Sequence, residues 1–186
     1  RLGAEIEYVG AEGYPPLKVS GKRLAGGEIS IDSTLSSQFV SAVLMVAPTM
    51  SRPLTLKLTG DTVSMPYIKM TVAMMRDRGI TVEMERDGIS VAPGDYGRPA
   101  AGIERDWSAA AFWYEIAALT AGWVTLKGMT ENSVQGDSVL ADIYPRLGVL
   151  TEWSDEGAEL SATPDLFSRV DLDMGDMPDL VQAVAV

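Results

Sequence analysis

The sequence predicts an α+β fold of repeated βαβαββ units, with mixed sheets and inward-facing helices. Three observations predict it. Short alternating runs bounded by Gly or Pro mark strands, and longer apolar runs with helical starts and stops lie between them. The same order of elements then returns: Gly79 and Gly148 are 69 residues apart, and so are Gly88 and Gly157.

Residues 1–26 hold two alternating runs, Ala4–Val9 and Leu17–Ser20, parted by Gly13 and Pro15-Pro16. The run Glu28–Asp32 is a third strand, and the hydroxyl-rich Ser33–Gln38 opens an apolar helix that reaches Pro48. A strand follows at Leu54–Gly60. The next helix begins near Pro66 and ends before Gly79, the usual placing of Pro at a start and Gly past an end. Strands Ile80–Glu85 and Ile89–Ala92 flank Asp87-Gly88, a strong hairpin signal.

The second copy starts with a strand at Ile103–Asp106. It continues through a helix at Trp107–Thr120, a strand at Trp123–Gly128 and a helix at Ser138–Leu147. Strands Val149–Trp153 and Ala158–Ala162 close it around Glu156-Gly157. A third copy begins at Val170–Asp173 and the helical Pro178–Val186. The first strands of a unit need crossover helices, so they should be parallel, with an antiparallel pair at the end. One unit cannot bury both its helices, so units should assemble with helices inward. Asp32, Asp106 and Asp173 recur at strand ends and read as caps. Both ends of the chain look cut from a longer polypeptide: it begins on Arg1-Leu-Gly and stops within an apolar helix.

Composition narrows the chemistry. Hydrophobic residues make up 46% of 186, ample for a core. There is no Cys and no His, which removes thiolate nucleophiles, disulfides, imidazole bases and most transition-metal sites. No cofactor or metal is expected. A net charge of −11 makes nucleic acid and anionic membranes poor partners. Apolar runs stop well short of the ~20 residues that span a bilayer, and a cytoplasmic location is expected.

Ser36, Ser37 and Gln38 place hydroxyl, amide and backbone N–H donors at a helix start, where the dipole adds partial positive charge. Taken alone, these residues fit an ordinary cap or an anion site for phosphate. Ser64 ahead of Met-Pro66-Tyr67 fits a helix cap equally well. Gln135-Gly136-Asp137 reads as a turn capping the next helix, and Met70, Met74 and Met75 as core filler. Lys69, Arg76 and Arg78 read as solvated charges.

Five motifs in order carry a resemblance: Ser36-Ser37-Gln38-Phe, Val63-Ser64-Met-Pro66-Tyr67-Ile, Glu104-Arg-Asp106-Trp-Ser-Ala-Ala, Gln135-Gly136-Asp137 and Asp171–Asp179. Together they closely resemble the 5-enolpyruvylshikimate-3-phosphate (EPSP) synthase family, over essentially the whole chain. The resemblance implies an alpha–beta prism of two domains joined by a hinge, here near Gly102 to Asp106. Residues 1–103 would be the later part of the first domain and 104–186 the first part of the second. It implies transfer of the enolpyruvyl group of phosphoenolpyruvate to the 5-hydroxyl of shikimate 3-phosphate. The hydroxyl attacks C2 as C3 gains a proton, and the tetrahedral intermediate then loses phosphate.

By the same resemblance Ser36, Ser37 and Gln38 bind shikimate 3-phosphate, Gln38 also lying beside phosphoenolpyruvate. Ser64 holds the 3-phosphate, with Tyr67 one turn along, and Asp179 accepts the 5-hydroxyl proton. Asp106 lies at the hinge and faces the cleft or serves as a cap. The family's Lys and Arg motifs fall outside these 186 residues, so the segment alone is expected to be inactive and to need the remainder of the polypeptide. Uncovered apolar surface makes self-association an expectation too. Two alternatives remain: another enolpyruvyl transferase, such as the one acting on UDP-N-acetylglucosamine, and a non-catalytic module of the same fold.

Overall fold

A computed structural model describes residues 2–34, 36–62, 64–86, 88–98, 102–164 and 169–186. Arg1, Leu35, Val63, Asp87 and the residues at 99–101 and 165–168 lie outside the described ones. The chain forms two compact units, residues 1–63 with 71–100, and residues 64–70 with 101–186.

In the first unit, β1 (Glu5–Tyr8) and β2 (Leu17–Ser20) form an exposed antiparallel pair. The main sheet is mixed. β3 (Gly27–Asp32) runs parallel to β4 (Leu54–Thr59) because α1 (Ser37–Val46) and a 3-10 turn at Ala47–Thr49 carry the chain back between them. β5 (Val82–Glu85) and β6 (Gly88–Val91) complete the order β3-β4-β6-β5, with β6 antiparallel to both neighbours. Alternation puts Leu54, Leu56, Val82, Ile89 and Val91 inside, where Val40 and Leu44 of α1 are also buried.

Helix α2 (Met65–Asp77) starts in the residues of the second unit and ends in those of the first. Ile68, Val72 and Met75 form its buried stripe at helical spacing. Met74 falls off that stripe and is exposed, so the core role expected of it is withdrawn. Arg76 is not merely solvated: its guanidinium donates twice to the Val82 carbonyl at 3.0 and 2.8 Å, tying the helix end to β5.

The second unit packs α3 (Trp107–Thr120) against an antiparallel sheet of β7 (Trp123–Lys127), β8 (Val149–Ser154) and β9 (Gly157–Ala162), in the order β7-β9-β8. Its core joins Trp107, Ala110, Tyr114 and Ala117 of α3 to Leu140, Tyr144, Val149, Leu160 and Leu180. Two aromatic pairs stiffen it: Trp107 with Trp153 at 6.1 Å between ring centres, and Tyr114 with Tyr144 at 4.8 Å. On its other side α3 exposes Phe112, Trp113, Ile116 and Leu119.

Four expected elements differ. Ile103–Asp106 forms no strand, and Ile103 is 93% exposed. The stretch is held instead by the Glu104 carboxylate, which accepts from the Ser133 hydroxyl, the Val134 N–H and the Gln135 amide, and by the Gln135 amide's donation to the Arg105 carbonyl. Val170–Asp173 likewise forms no strand. The helix expected at 138–147 is split into a 3-10 turn at Gly136–Val139, α4 (Leu140–Ile143) and a 3-10 turn at Tyr144–Leu147. Pro145 explains the break, since it has no N–H and its ring crowds the carbonyl four residues back. The last helix is a 3-10 turn at Pro178–Leu180 leading into the short α5 (Val181–Val184).

One feature is shared by the two sheets. Gly88 opens β6 opposite Lys57, and Gly157 opens β9 opposite Lys127. A Cβ on Gly88 would lie 2.9 Å from the Leu56 carbonyl oxygen, and on Gly157 2.2 Å from that of Leu126. Close backbone approach, with φ +144 at Gly157, dictates glycine at both.

Candidate active site

The first candidate group lies at the start of α1 in the first unit. β3 delivers the chain to a tight turn in which Asp32 accepts from the Thr34 N–H at 3.0 Å and hydroxyl at 2.6 Å. Those two bonds hold the Asp32 carboxyl below its ordinary range. Asp32 therefore shapes the turn and does not cap the helix. Ser33 is consumed as well: buried, it donates to the Thr59 carbonyl and shares a 2.7 Å bond with Thr62.

Ser36 is the N-cap, with extended backbone, and its Oγ accepts from the Gln38 N–H at 3.1 Å. Ser37 is buried as the first helical residue, while Gln38 is exposed. The first turn carries no acidic residue. Donors thus outnumber acceptors at this helix start, an arrangement able to receive an anion.

The second group lies wholly in the second unit. Ser64 precedes α2 with φ +57, a left-handed conformation uncommon for serine, and it is 7% exposed. Its N–H reaches the Gly175 carbonyl at 3.4 Å, and its own carbonyl accepts from the Tyr67 N–H at 3.1 Å. The segment that leads into Asp179 is thereby joined to the start of α2. Gly136 supports the same place from another side, since a Cβ there would come within 2.3 Å of Pro66.

Tyr67 projects its hydroxyl into a set of carboxylates. It donates to Asp137 Oδ1 at 2.9 Å, and Ser108 donates to Asp137 Oδ2 at 2.5 Å. Burial, then Asp137, then Asp179, whose carboxylate also lies within hydrogen-bonding reach of the phenol, push the Tyr67 hydroxyl far above its ordinary range. Asp179 itself, in the 3-10 turn before α5, is exposed. The structure therefore brings Ser64, Tyr67 and Asp179 into one neighbourhood, while Ser36, Ser37 and Gln38 form a group of their own in the first unit.

Asp137 is the residue that the sequence reading misplaced. It caps nothing: the cap position before Gly136–Val139 is Gln135, and Asp137 is 2% exposed with both oxygens occupied. Its partner Tyr67 is 70 positions away, so no local pattern could reveal the pair. The only signal was the Gln135-Gly136-Asp137 motif itself.

Asp106 does act as the expected cap, accepting from the Ala109 N–H at 3.0 Å. Beside it, Gln135 accepts from the Trp107 N–H and donates to Glu104 and to the Arg105 carbonyl. Burial alone would raise Glu104; donors from Ser133, Gln135 and the Val134 N–H outweigh it and hold the carboxyl low. Asp173 accepts from the Gly175 N–H at 2.9 Å, so it forms a turn and caps no helix. Among the described residues no carboxylate cluster suits a metal, and no helix is long and apolar enough to cross a membrane.

These features define a mixed α/β protein with the fold of the enolpyruvyl transferases. Solved structures similar to it are an EPSP synthase from Acinetobacter baumannii and the enolpyruvyl transferase NikO from Streptomyces tendae. The first matches with a TM-score of 0.67 at 20% identity, over 99% of this chain and 42% of that one. The second matches at 0.58 and 18%, over 100% and 47%. The chain belongs to the EPSP synthase (3-phosphoshikimate 1-carboxyvinyltransferase) family, whose profile matches residues 1–186. The 3-phosphoshikimate 1-carboxyvinyltransferase of Bacteroides fragilis is 43% identical over 187 residues, and that of Haemophilus ducreyi 36% over 194. Both alignments cover all of this chain, which spans 46% and 43% of those relatives' lengths.

Proposed function

We propose that this chain carries part of the active site of an EPSP synthase. The enzyme transfers the enolpyruvyl group of phosphoenolpyruvate to the 5-hydroxyl of shikimate 3-phosphate and releases phosphate. The single observation that carries this reading is the meeting of Tyr67 and Asp179 beside Ser64, in a chain of that family. In this reading the alpha–beta prism of repeated units is kept, with the domain boundary at 103/104.

Asp179 takes the proton of the 5-hydroxyl as the hydroxyl oxygen bonds to C2 of phosphoenolpyruvate and C3 gains a proton; loss of a C3 proton together with phosphate then restores the double bond. An exposed carboxylate is open to an incoming substrate hydroxyl, which supports the role. Ser64 and the donors at Ser36, Ser37 and Gln38 hold substrate oxygens, the chemistry of hydroxyl and N–H groups at helix starts.

The test is phosphate release by the full-length protein given shikimate 3-phosphate and phosphoenolpyruvate. Turnover should fall by about a hundredfold or more in Asp179→Asn, the scale of a lost general base. Gln38→Ala should raise KM for both substrates. Wild-type protein that releases no phosphate, or that accepts UDP-N-acetylglucosamine instead, overturns the assignment.

A further inference from the structure

One phenolic proton faces two carboxylates at Tyr67, and the surroundings of those carboxylates differ. Asp137 is 2% exposed, so water cannot satisfy its oxygens and each needs a protein donor. Ser108 supplies one of them and Tyr67 the other. Asp179 is exposed and can take its hydrogen bonds from water or from substrate. Leaving the buried acceptor unmet costs more than leaving the exposed one, so the phenolic proton belongs to Asp137.

We propose that Asp137 is a positioning residue for the reaction: it holds the Tyr67 proton, with Ser108 fixing its second oxygen, and so keeps Asp179 free to accept a proton from the substrate hydroxyl. This rests on the role given to Asp179 above. Asp137 touches no substrate and acts through Tyr67. The start of α2 is held for this purpose by the close fit of Pro66 on Gly136, the residue next to Asp137. The Gln135-Gly136-Asp137 motif thereby gains a function: Gln135 ties down the entry to α3, Gly136 admits Pro66, and Asp137 receives the phenol.

The proposal makes a prediction that a structural role does not. In Asp137→Asn the new amide can donate to the phenol oxygen, and the Tyr67 proton turns to Asp179 and occupies the base. In the full-length enzyme, kcat should fall by about tenfold or more, while KM for shikimate 3-phosphate stays within about threefold. Adding Tyr67→Phe removes the proton that turned, so kcat of the double variant should recover to at least about three times that of Asp137→Asn. A double variant as slow as Asp137→Asn or slower, or an Asp137→Asn enzyme with unchanged kcat, overturns the proposal. If Asp137→Asn does not fold, Ser108→Ala leaves the carboxylate in place and loosens it. Its kcat should drop about threefold at constant KM, and an unchanged kcat overturns the proposal equally.

A readout without turnover separates this from the assignment of the reaction. With 13Cζ-labelled tyrosine, the Tyr67 signal, identified by its loss in Tyr67→Phe, should stay un-ionised to about pH 11 in the wild type and begin to ionise below that in Asp137→Asn. Tyr67 signals that behave alike in both proteins overturn the link to Asp137. A shift in that signal together with a wild type that releases no phosphate would leave the Asp137–Tyr67 link standing and remove the proposed reaction.

Discussion

The helices α1 and α3 are entered in opposite ways. The chain reaches α1 from β3, a strand fixed along six residues by its parallel pairing with β4. It reaches α3 from residues 102–106, which have no ladder. There the fixing is done by side chains: Glu104 takes donors from Ser133, Val134 and Gln135, Gln135 holds both Arg105 and Trp107, and Asp106 caps. Where a main-chain ladder does the positioning, as at α1, polar side chains are needed less for holding the chain: Ser36 caps and Gln38 stays exposed to solvent or a ligand. Where the ladder is lacking, polar side chains are used up in holding the chain.

The largest test of this contrast lies in the sheets behind the two helices. Gly157→Ala, which drives a Cβ to 2.2 Å from the Leu126 carbonyl oxygen, should cost about 3 kcal/mol, at the upper end for overpacking. Gly88→Ala, at 2.9 Å from Leu56, should cost about 1–2 kcal/mol. All four tryptophans of this chain lie in the second unit. Urea unfolding followed by their fluorescence should therefore report the Gly157 variant and miss the Gly88 one, which amide exchange in β6 will detect. Equal losses in the two sheets would remove the asymmetry.

Next in size is Glu104→Ala. Three donors converge on an exposed carboxylate, so a loss of about 1 kcal/mol is expected once solvent screening is allowed for. The same denaturation curve measures it, and a loss near zero would mean that the entry to α3 is fixed by something else.

The two caps should differ in the same sense. Asp106→Ala should cost about 1 kcal/mol and Ser36→Ala about 0.5, because the ladder already holds the entry to α1. A Ser36 variant that loses more stability than the Asp106 variant would reverse the comparison.

The smallest effect is a pH dependence. Glu104 has its folded pKa below the ordinary 4.5, so its contribution is present above that value and is lost as pH falls through the lower, folded one. Wild type and Glu104→Gln should therefore converge in stability on acidification from about pH 5 to about pH 3. Asp32, held low by Thr34, has the same sign, and Thr34→Ala should soften the acid sensitivity of the first unit.

Much of the architecture was legible because it is local. The helix at Trp107–Thr120 and the strand at Leu17–Ser20 fall where their patterns place them. In both, an apolar period and a terminating residue coincide. The stretch Ile103–Asp106 shows the limit. Its alternation is that of a strand, but a strand exists only with a partner, and 102–106 has none among the described residues. The break at Pro145 was legible in principle, since proline's missing donor is visible in the sequence. Of the site, Ser36 and Asp106 could be read as caps because a cap is decided within four residues. Asp137 could not, because burial and a bond to a phenol 70 residues away are products of tertiary packing.

The left-handed backbone at Ser64 gives this protein an unusual handle on a single position. Removing its hydroxyl with alanine keeps the conformational tension of a side chain at positive φ, whereas glycine removes the hydroxyl and the tension together. The two replacements should be matched in what they deny a ligand and opposed in what they do to melting, with glycine the more stable by about 1 kcal/mol. Recognition and backbone strain can thus be dialled independently at one residue.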